Sequence, residues 1–219
     1  MKKAILFGAS GFIGSRLLAD LLENKDYKQV SVVVRKTLGI SHPKLRELIG
    51  DYHSLHLLDG KMDADEIFIT LGTTRATTPD RAQYYQVDHD YPVEAAKMAR
   101  EAGVKSVLVV TAVGANANSG IFYTRTKGEI ERDIIALNFE HTCIFRPSMI
   151  MGERKENRRF EKTLIKVWAF INPLFTGKSL SKYRGITSQD IATAMMNAAK
   201  NQKDKVKIFH WEEMMELGK

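Results

Sequence analysis

Gly8-Ala9-Ser10-Gly11-Phe12-Ile13-Gly14 places three glycines at a regular spacing near the start of the chain. The run Lys3 to Phe7 ahead of it is apolar and ends on the first glycine, which predicts a buried strand. Behind it, Phe12 to Glu23 carries apolar residues at 13, 17, 18, 21 and 22, the spacing of one helix face. A glycine pattern becomes informative in this context of strand, turn and helix in direct succession. Gly8 permits the tight turn, Gly11 lets backbone approach a pyrophosphate without a Cβ in the way, and Gly14 lets helix and strand pack closely. The amides and positive dipole end of the new helix then favour the pyrophosphate. The stretch fits a dinucleotide, with a ligand-free structural turn as the plainer alternative.

Outward from this loop the chain alternates short β-rich runs with helical segments. Strands are predicted at Val30 to Val34, Leu55 to Leu58, Glu66 to Thr70, Val104 to Val110 and His141 to Phe145, with a late one at Val206 to Phe209. Asp80 to Ala102 reads as a long helix ending at Gly103, and Pro92 within it predicts a kink or two helices. Further helices are expected at Tyr123 to Leu137, Arg159 to Phe170 and Ser188 to Lys200, the last capped by Ser188. Apolar strands alternating with helices imply an α/β fold, a doubly wound parallel sheet covered on both faces. After Pro147 the rhythm loosens. The expectation is one domain over residues 1–219, with 148–219 contributing a small lid or substrate region.

The composition suits such a domain. The chain has 219 residues, 44% hydrophobic and 27% charged, and a domain of this size buries roughly 70% of its unfolded surface without needing a disulfide or metal. The lone cysteine, Cys143, sits in an apolar run, has no internal partner, and points to a reducing, cytoplasmic setting. Met1-Lys2-Lys3 and the apolar residues behind them resemble a secretory leader, but the glycines and then Arg16, Asp20 and Glu23 interrupt that pattern. Leu164 to Phe175 is the most apolar later stretch; it contains Lys166 and Pro173 and falls short of the roughly 20 residues of a membrane span. The net charge of +7 comes from basic residues spread along the chain. It fits a phosphorylated cofactor or an anionic substrate. No nucleic-acid signature accompanies it.

The second strand discriminates between dinucleotides. An acidic residue at its end would bond the ribose hydroxyls of NAD, whereas here Val34 is followed by Arg35-Lys36. A guanidinium clamps a 2′-phosphate that a carboxylate would repel. NADP(H) is therefore expected ahead of NAD(H), with Ser10 adding a hydroxyl donor. Asp59, after Leu57-Leu58, has the chemistry to accept the adenine amino group, although an ordinary turn aspartate reads the same way.

Tyr123 and Lys127 lie four residues apart on a predicted helix and so share a face. An ammonium beside a phenol favours the phenolate, so the pair predicts a tyrosine with a lowered pKa, able to shuttle a proton. A hydroxyl to hold a substrate oxygen belongs at the end of the preceding strand, where Thr111 is the one candidate; Ser119 is nearer Tyr123 in sequence but sits in a loop.

These residues together resemble the extended and atypical short-chain dehydrogenase/reductase superfamily, and within it the Tat-interacting-protein-like branch. The resemblance rests on Gly8 to Gly14, Asp59, Leu71-Gly72-Thr73-Thr74-Arg75, Val87-Asp88-His89-Asp90-Tyr91, Tyr123 with Lys127, Phe145-Arg146-Pro147, Gly152-Glu153-Arg154 and the terminal Glu216 to Lys219, nearly the whole chain. It implies a Rossmann fold binding NADP(H), with Tyr123 and Lys127 in the catalytic positions and Lys127 also on the nicotinamide ribose. It further implies Gly72 and Thr73 lining the cofactor and Pro147 beside the carboxamide. The family usually has serine where this chain has Thr111-Ala112.

The other polar groups carry less. His53 and His56 lack a third ligand near in sequence, so no metal site is expected. Arg154, Arg158 and Arg159 suit an anionic substrate or a solvated helix start equally. Three functions stay open: an NADP(H)-dependent oxidoreductase acting on a small carbonyl or alcohol, a nucleotide-sugar epimerase disfavoured by the short C-terminal region, and a non-catalytic NADPH-binding regulator with a protein partner.

Overall fold

A computed structural model describes residues 1–51, 62–152 and 181–218. Its core is a seven-stranded sheet, every neighbouring pair parallel. In chain order the strands are β1 (Lys2–Phe7), β2 (Tyr27–Val34), β3 (Leu45–Ile49), β4 (Glu66–Ile69), β5 (Ser106–Val110), β6 (His141–Phe145) and β9 (Val206–Phe209). Across the sheet they run β3-β2-β1-β4-β5-β6-β9. The chain winds outward from β1 through β2 and β3, then crosses back to β4 on the other side of β1. The carboxyl ends of β1 and β4 therefore flank the point where strand order reverses, the place where doubly wound sheets bind ligands.

β1, β4, β5 and β6 are buried over nearly their whole length because helices cover both faces. On one face α1 (Gly14–Glu23) brings Leu17, Leu18 and Leu21, and α5 (Ser188–Lys200) brings Ile191 and Met195, onto β1, β4 and β5. On the other, α3 (Tyr91–Glu101) supplies Ala95, Ala96 and Ala99 and α4 (Phe122–Ala136) supplies Ile130 and Ile134. Each fully buried leucine or isoleucine stabilises the fold by about 1.5–3 kcal/mol. A two-stranded pair, β7 (Ile150–Met151) with β8 (Ile186–Thr187), and a short helix α6 (Trp211–Leu217) complete the described fold. Within the 148–219 segment, α5 and β9 thus belong to the main sheet and its cover, and β7 and β8 form the separate piece.

Three local departures from the sequence reading have simple causes. The strand beside β2 is Leu45–Ile49, an edge strand in which Arg46 and Glu47 interrupt the apolar run; Leu55 to Leu58, with Asp59, His53, His56 and Arg159 to Phe170, lies outside the described residues. The cap of α5 is Thr187, not Ser188: its hydroxyl accepts the Asp190 N–H at 3.1 Å and donates to the Asp190 carboxylate at 2.7 Å. A cap must be extended, and Thr187 is the last residue of β8.

The break expected near Pro92 is a π turn, Gln86–Asp90, set between a short helix α2 (Arg81–Tyr85) and α3. Asp80 caps α2 by accepting the Gln83 N–H at 2.8 Å. Proline lacks an N–H and crowds the carbonyl four residues back, here that of Asp88. The wider turn, in which the Tyr91 N–H reaches Gln86 O, relieves that crowding before Pro92 enters the first turn of α3.

Candidate functional site

The glycine loop is built by close backbone contact. Gly8 has φ +90°, and the Gly11 N–H donates to Gly8 O at 2.9 Å. A Cβ at Gly14 would lie 2.0 Å from Gly8 O and 2.7 Å from Thr70 Oγ1, so only glycine fits there. Thr70, just past β4, donates from its hydroxyl to Phe7 O at 3.0 Å and ties the two strand ends at the switch point. The ladder of α1 starts with Ser15 N–H to Gly11 O, which leaves the amides of Ile13 and Gly14 ahead of it. This cradle, closed to side chains and at the positive end of a helix, fits a dinucleotide pyrophosphate. Phe12 leaves the loop toward the C-terminal part: a Cβ on Gly152 would come 2.7 Å from its ring.

At the end of β2, Arg35 and Lys36 are exposed, and neither forms an ion pair among the described residues. The nearby acid, Glu47 on β3, accepts the Thr37 hydroxyl at 2.6 Å and the Leu38 N–H at 2.8 Å, which folds the following loop down and leaves the two cations outward. Ser10 is exposed at the head of a cleft of about 460 Å³ that Ser15, Leu38 and His42 also line.

Across the switch point, α4 carries Tyr123 and Lys127. Lys127 is buried and turns inward, its Nζ 3.4 Å from Asp88 Oδ1. Asp88, only 1% exposed, comes from the π turn and also accepts the Thr73 N–H at 2.9 Å. Gly72 sits against both: a Cβ there would be 3.1 Å from Asp88 Oδ1 and 3.8 Å from Lys127 Nζ. Gly72, Thr73 and Lys127, three residues expected to line the cofactor, therefore meet around a carboxylate to which sequence reasoning assigned no role.

Tyr123 remains 44% exposed. Desolvation of its hydroxyl, followed by the charge of Asp88, pushes the phenol up to about 12. The expectation that Lys127 lowers it is corrected here: Asp88 takes up the ammonium's charge, and a neutralised cation does little to a neighbouring phenol. The buried phenol of Tyr84 is likewise raised, by burial and then by Asp88.

Thr111 stands at the end of β5 as expected, but its hydroxyl donates to Glu131 Oε1 at 2.6 Å. Glu131 is buried on α4 and is paired with Arg146, whose Nε donates at 2.9 Å and whose second guanidinium nitrogen bonds the other carboxylate oxygen. Thr111 thus joins a buried network that clamps β5, α4 and the end of β6. Pro147, next along, accepts the Val113 N–H at 2.9 Å and holds the start of the loop after β5.

That loop is seated by Gly128, directly after Lys127, where a Cβ would lie 2.0 Å from Ala117 N. The Asn116 N–H donates to Thr124 O at 2.9 Å, and Ser119 Oγ accepts from Thr124 Oγ1 at 2.7 Å. Asp88 stands in the stretch Val87-Asp88-His89-Asp90-Tyr91 with no role of its own; Glu131 and Gly128 are the supporting residues that motif reading passed over. A glycine inside a helix was the visible signal for the last; buried carboxylates leave no comparable signal in sequence.

Among the described residues no helix is long and apolar enough to cross a membrane, and no group of three or more side chains has a metal-binding arrangement.

Comparison with known proteins agrees with the fold. Residues 8–202 match the NAD(P)H-binding family model. The mitochondrial protein fmp52 of Aspergillus fumigatus is 38% identical over 208 residues, covering 90% of this chain and 87% of its own. The mitochondrial FMP52 protein of Eremothecium gossypii is 31% identical over 219 residues, covering 99% and 97%. The solved structure of MoeE5 in complex with UDP-glucose and NAD superposes with a TM-score of 0.68 at 19% identity, over 99% of this chain and 80% of that one. Both relatives are named mitochondrial, which overturns the cytoplasmic expectation. A lone buried cysteine speaks for a reducing setting without saying which. With its glycine loop at a topological switch point, its seven-stranded parallel sheet of Rossmann type and these matches, the chain belongs to the NAD(P)H-binding family, alongside the FMP52 proteins.

Proposed function

We propose that this protein is an NADP(H)-dependent oxidoreductase that acts on a small carbonyl or alcohol, with Tyr123 as the proton-transferring group. The observation that carries the reading is the meeting of Lys127 and Gly72 at Asp88, on the helix that also carries Tyr123. A nicotinamide, when bound, supplies or accepts the hydride. The backbone from Gly8 to Gly14 would hold the pyrophosphate, and Arg35 and Lys36, with Ser10, the 2′-phosphate. Asp59 would accept the adenine amino group, and Gly72, Thr73 and Pro147 would take the cofactor contacts that the resemblance to the Tat-interacting-protein-like branch implies. Lys127 would reach the nicotinamide ribose on leaving Asp88.

Tyr123 would donate its proton to the substrate oxygen in reduction. Thr111 has a changed part: its hydroxyl donates its hydrogen bond to Glu131, so it would anchor β5 to α4 instead of holding the substrate oxygen. Residues 148–219 would contribute the substrate side through β7 and β8, within a single domain.

The test is a titration of the protein with NADPH and with NADH, followed by a carbonyl screen with Tyr123→Phe as control. NADPH should bind at least tenfold more tightly, and reduction should disappear in the control. Equal affinity for the two cofactors sinks the assignment of Arg35. Turnover that survives in Tyr123→Phe sinks that of Tyr123.

The Thr111–Glu131 bond favours one second reading, a non-catalytic NADPH-binding regulator acting on a protein partner, because it removes the hydroxyl donor the reaction would use. That reading expects every biological effect to persist in Tyr123→Phe and to vanish in Arg35→Ala.

A further inference from the structure

Arg184 stands two residues ahead of β8, where three elements at the carboxyl edge of the sheet meet. Its backbone is fixed from each side. The Arg184 N–H donates to Ser181 O at 2.9 Å. The Ser148 hydroxyl, from the link between β6 and β7, lies 2.6 Å from Arg184 O and 2.9 Å from Tyr183 O. The Trp211 indole N–H, at the start of α6, donates to Gly185 O at 3.1 Å. The side chain is held as well: its guanidinium carbon lies 4.3 Å from the Trp211 ring centroid, inside the roughly 6 Å reach of a cation–π contact.

This fixed guanidinium has no counter-charge among the described residues. Its Nε is buried there without a hydrogen-bond partner. The carboxylates on the neighbouring elements are bound elsewhere: Asp190 to Thr187, Glu213 to the His210 N–H at 3.0 Å, and Glu131 to Thr111 and Arg146. The nearest charge along the chain is a second cation, Lys182, whose ammonium lies 5.3 Å from the Tyr183 ring centroid. Stacking strips water from a guanidinium without neutralising it, so such a group gains more from an arriving anion than a solvated arginine does. Covering Trp211 alone would be served by an apolar side chain, with no buried donor left over.

We propose that Arg184 is a specificity-determining residue that receives an oxyanion, a carboxylate or a phosphate, carried by the substrate. Its planar fork matches two oxygens of either group, and Trp211 holds it ready. Ser148 follows Pro147, the residue assigned to the carboxamide, which puts Arg184 on the substrate side of the crevice. β7, the partner of β8, runs on to Gly152 against Phe12 of the glycine loop. Arg35 and Lys36 stand apart from it, at the end of β2. The link to a carbonyl substrate rests on the oxidoreductase reading above; the oxyanion site does not.

Two measurements test this. The first uses Trp211 as reporter in Trp168→Phe, which leaves it the one tryptophan of the chain. Its emission is followed as sodium acetate or sodium phosphate is added, with sodium chloride at equal ionic strength as the blank. A saturable change with either oxyanion is expected, and Arg184→Gln should weaken that binding about tenfold or more, the effect of losing a charge-assisted hydrogen bond. Saturation by one anion alone identifies the group. A response no different from chloride, or one that Arg184→Gln leaves unchanged, overturns the proposal.

The second compares a 2-oxo acid with its methyl ester, and a hydroxyketone phosphate with the free hydroxyketone, as substrates with NADPH. One charged member should be preferred in kcat/KM, and Arg184→Gln should cut that preference about tenfold or more. Arg184→Lys, which keeps the charge and loses the fork, should retain part of it. A preference equal in wild type and Arg184→Gln overturns the proposal, because an arginine that only holds the lobe together would weaken both members of a pair alike. Saturable, Arg184-dependent anion binding without any turnover sinks the oxidoreductase reading alone and leaves the oxyanion site standing.

Discussion

The glycine loop and the Tyr123 side of the crevice face each other across one switch point and are built on opposite principles. The first is backbone: Gly8, Gly11 and Gly14 exclude side chains, and a ligand meets amides and a helix dipole. The second is charge: Asp88 with Lys127, and Glu131 with Arg146 and Thr111, buried pairs brought from the π turn, α4, β5 and the end of β6. A backbone cradle fails through steric overlap. A buried ion pair fails when one partner is removed and the other is left uncompensated. The two sides should therefore break differently.

The largest effect is expected from Gly14→Ala, whose Cβ would overlap Gly8 O at 2.0 Å. NADPH affinity should fall at least a hundredfold, and the melting temperature should drop as well; retention of wild-type affinity by cofactor fluorescence would contradict the cradle. Glu131→Ala comes next. It leaves Arg146 unpaired and should cost about 3–5 kcal/mol in denaturant unfolding. NADPH affinity in the protein that remains folded should change little, and a large loss of affinity would mean that the two sides are not separable. Arg35→Ala sharpens the cofactor side: losing charge-assisted bonds of about 1.5–3 kcal/mol should weaken NADPH roughly tenfold to a hundredfold and leave NADH unchanged. The smallest effect belongs away from both. Thr187→Ala removes the cap of α5 and should cost about 1 kcal/mol of stability with cofactor binding intact.

Legibility in the sequence follows the same division. Apolar runs at Lys3 to Phe7, Val104 to Val110 and His141 to Phe145 announce strands because they are buried on both faces. β3 escapes notice because an edge strand tolerates Arg46 and Glu47. Pro92 announces a break, but not that a π turn makes it or that Asp88 is turned inward as a result. Tyr123 and Lys127 are legible as a spaced pair. Their electrostatics are not, since the lowered phenol expected from that spacing becomes one raised by burial of its hydroxyl and then by the charge of Asp88.

By itself the sequence determined the parallel α/β sheet, the glycine cradle and the place of Arg35 at the end of β2, because each depends on residues within one strand–turn–helix unit. Only the tertiary structure decided which carboxylates lie next to Lys127 and Thr111. Those contacts join Asp88 to Lys127 and Glu131 to Arg146 across separate elements. A charge's effect depends on distance and burial in the folded protein, and spacing along the chain fixes neither.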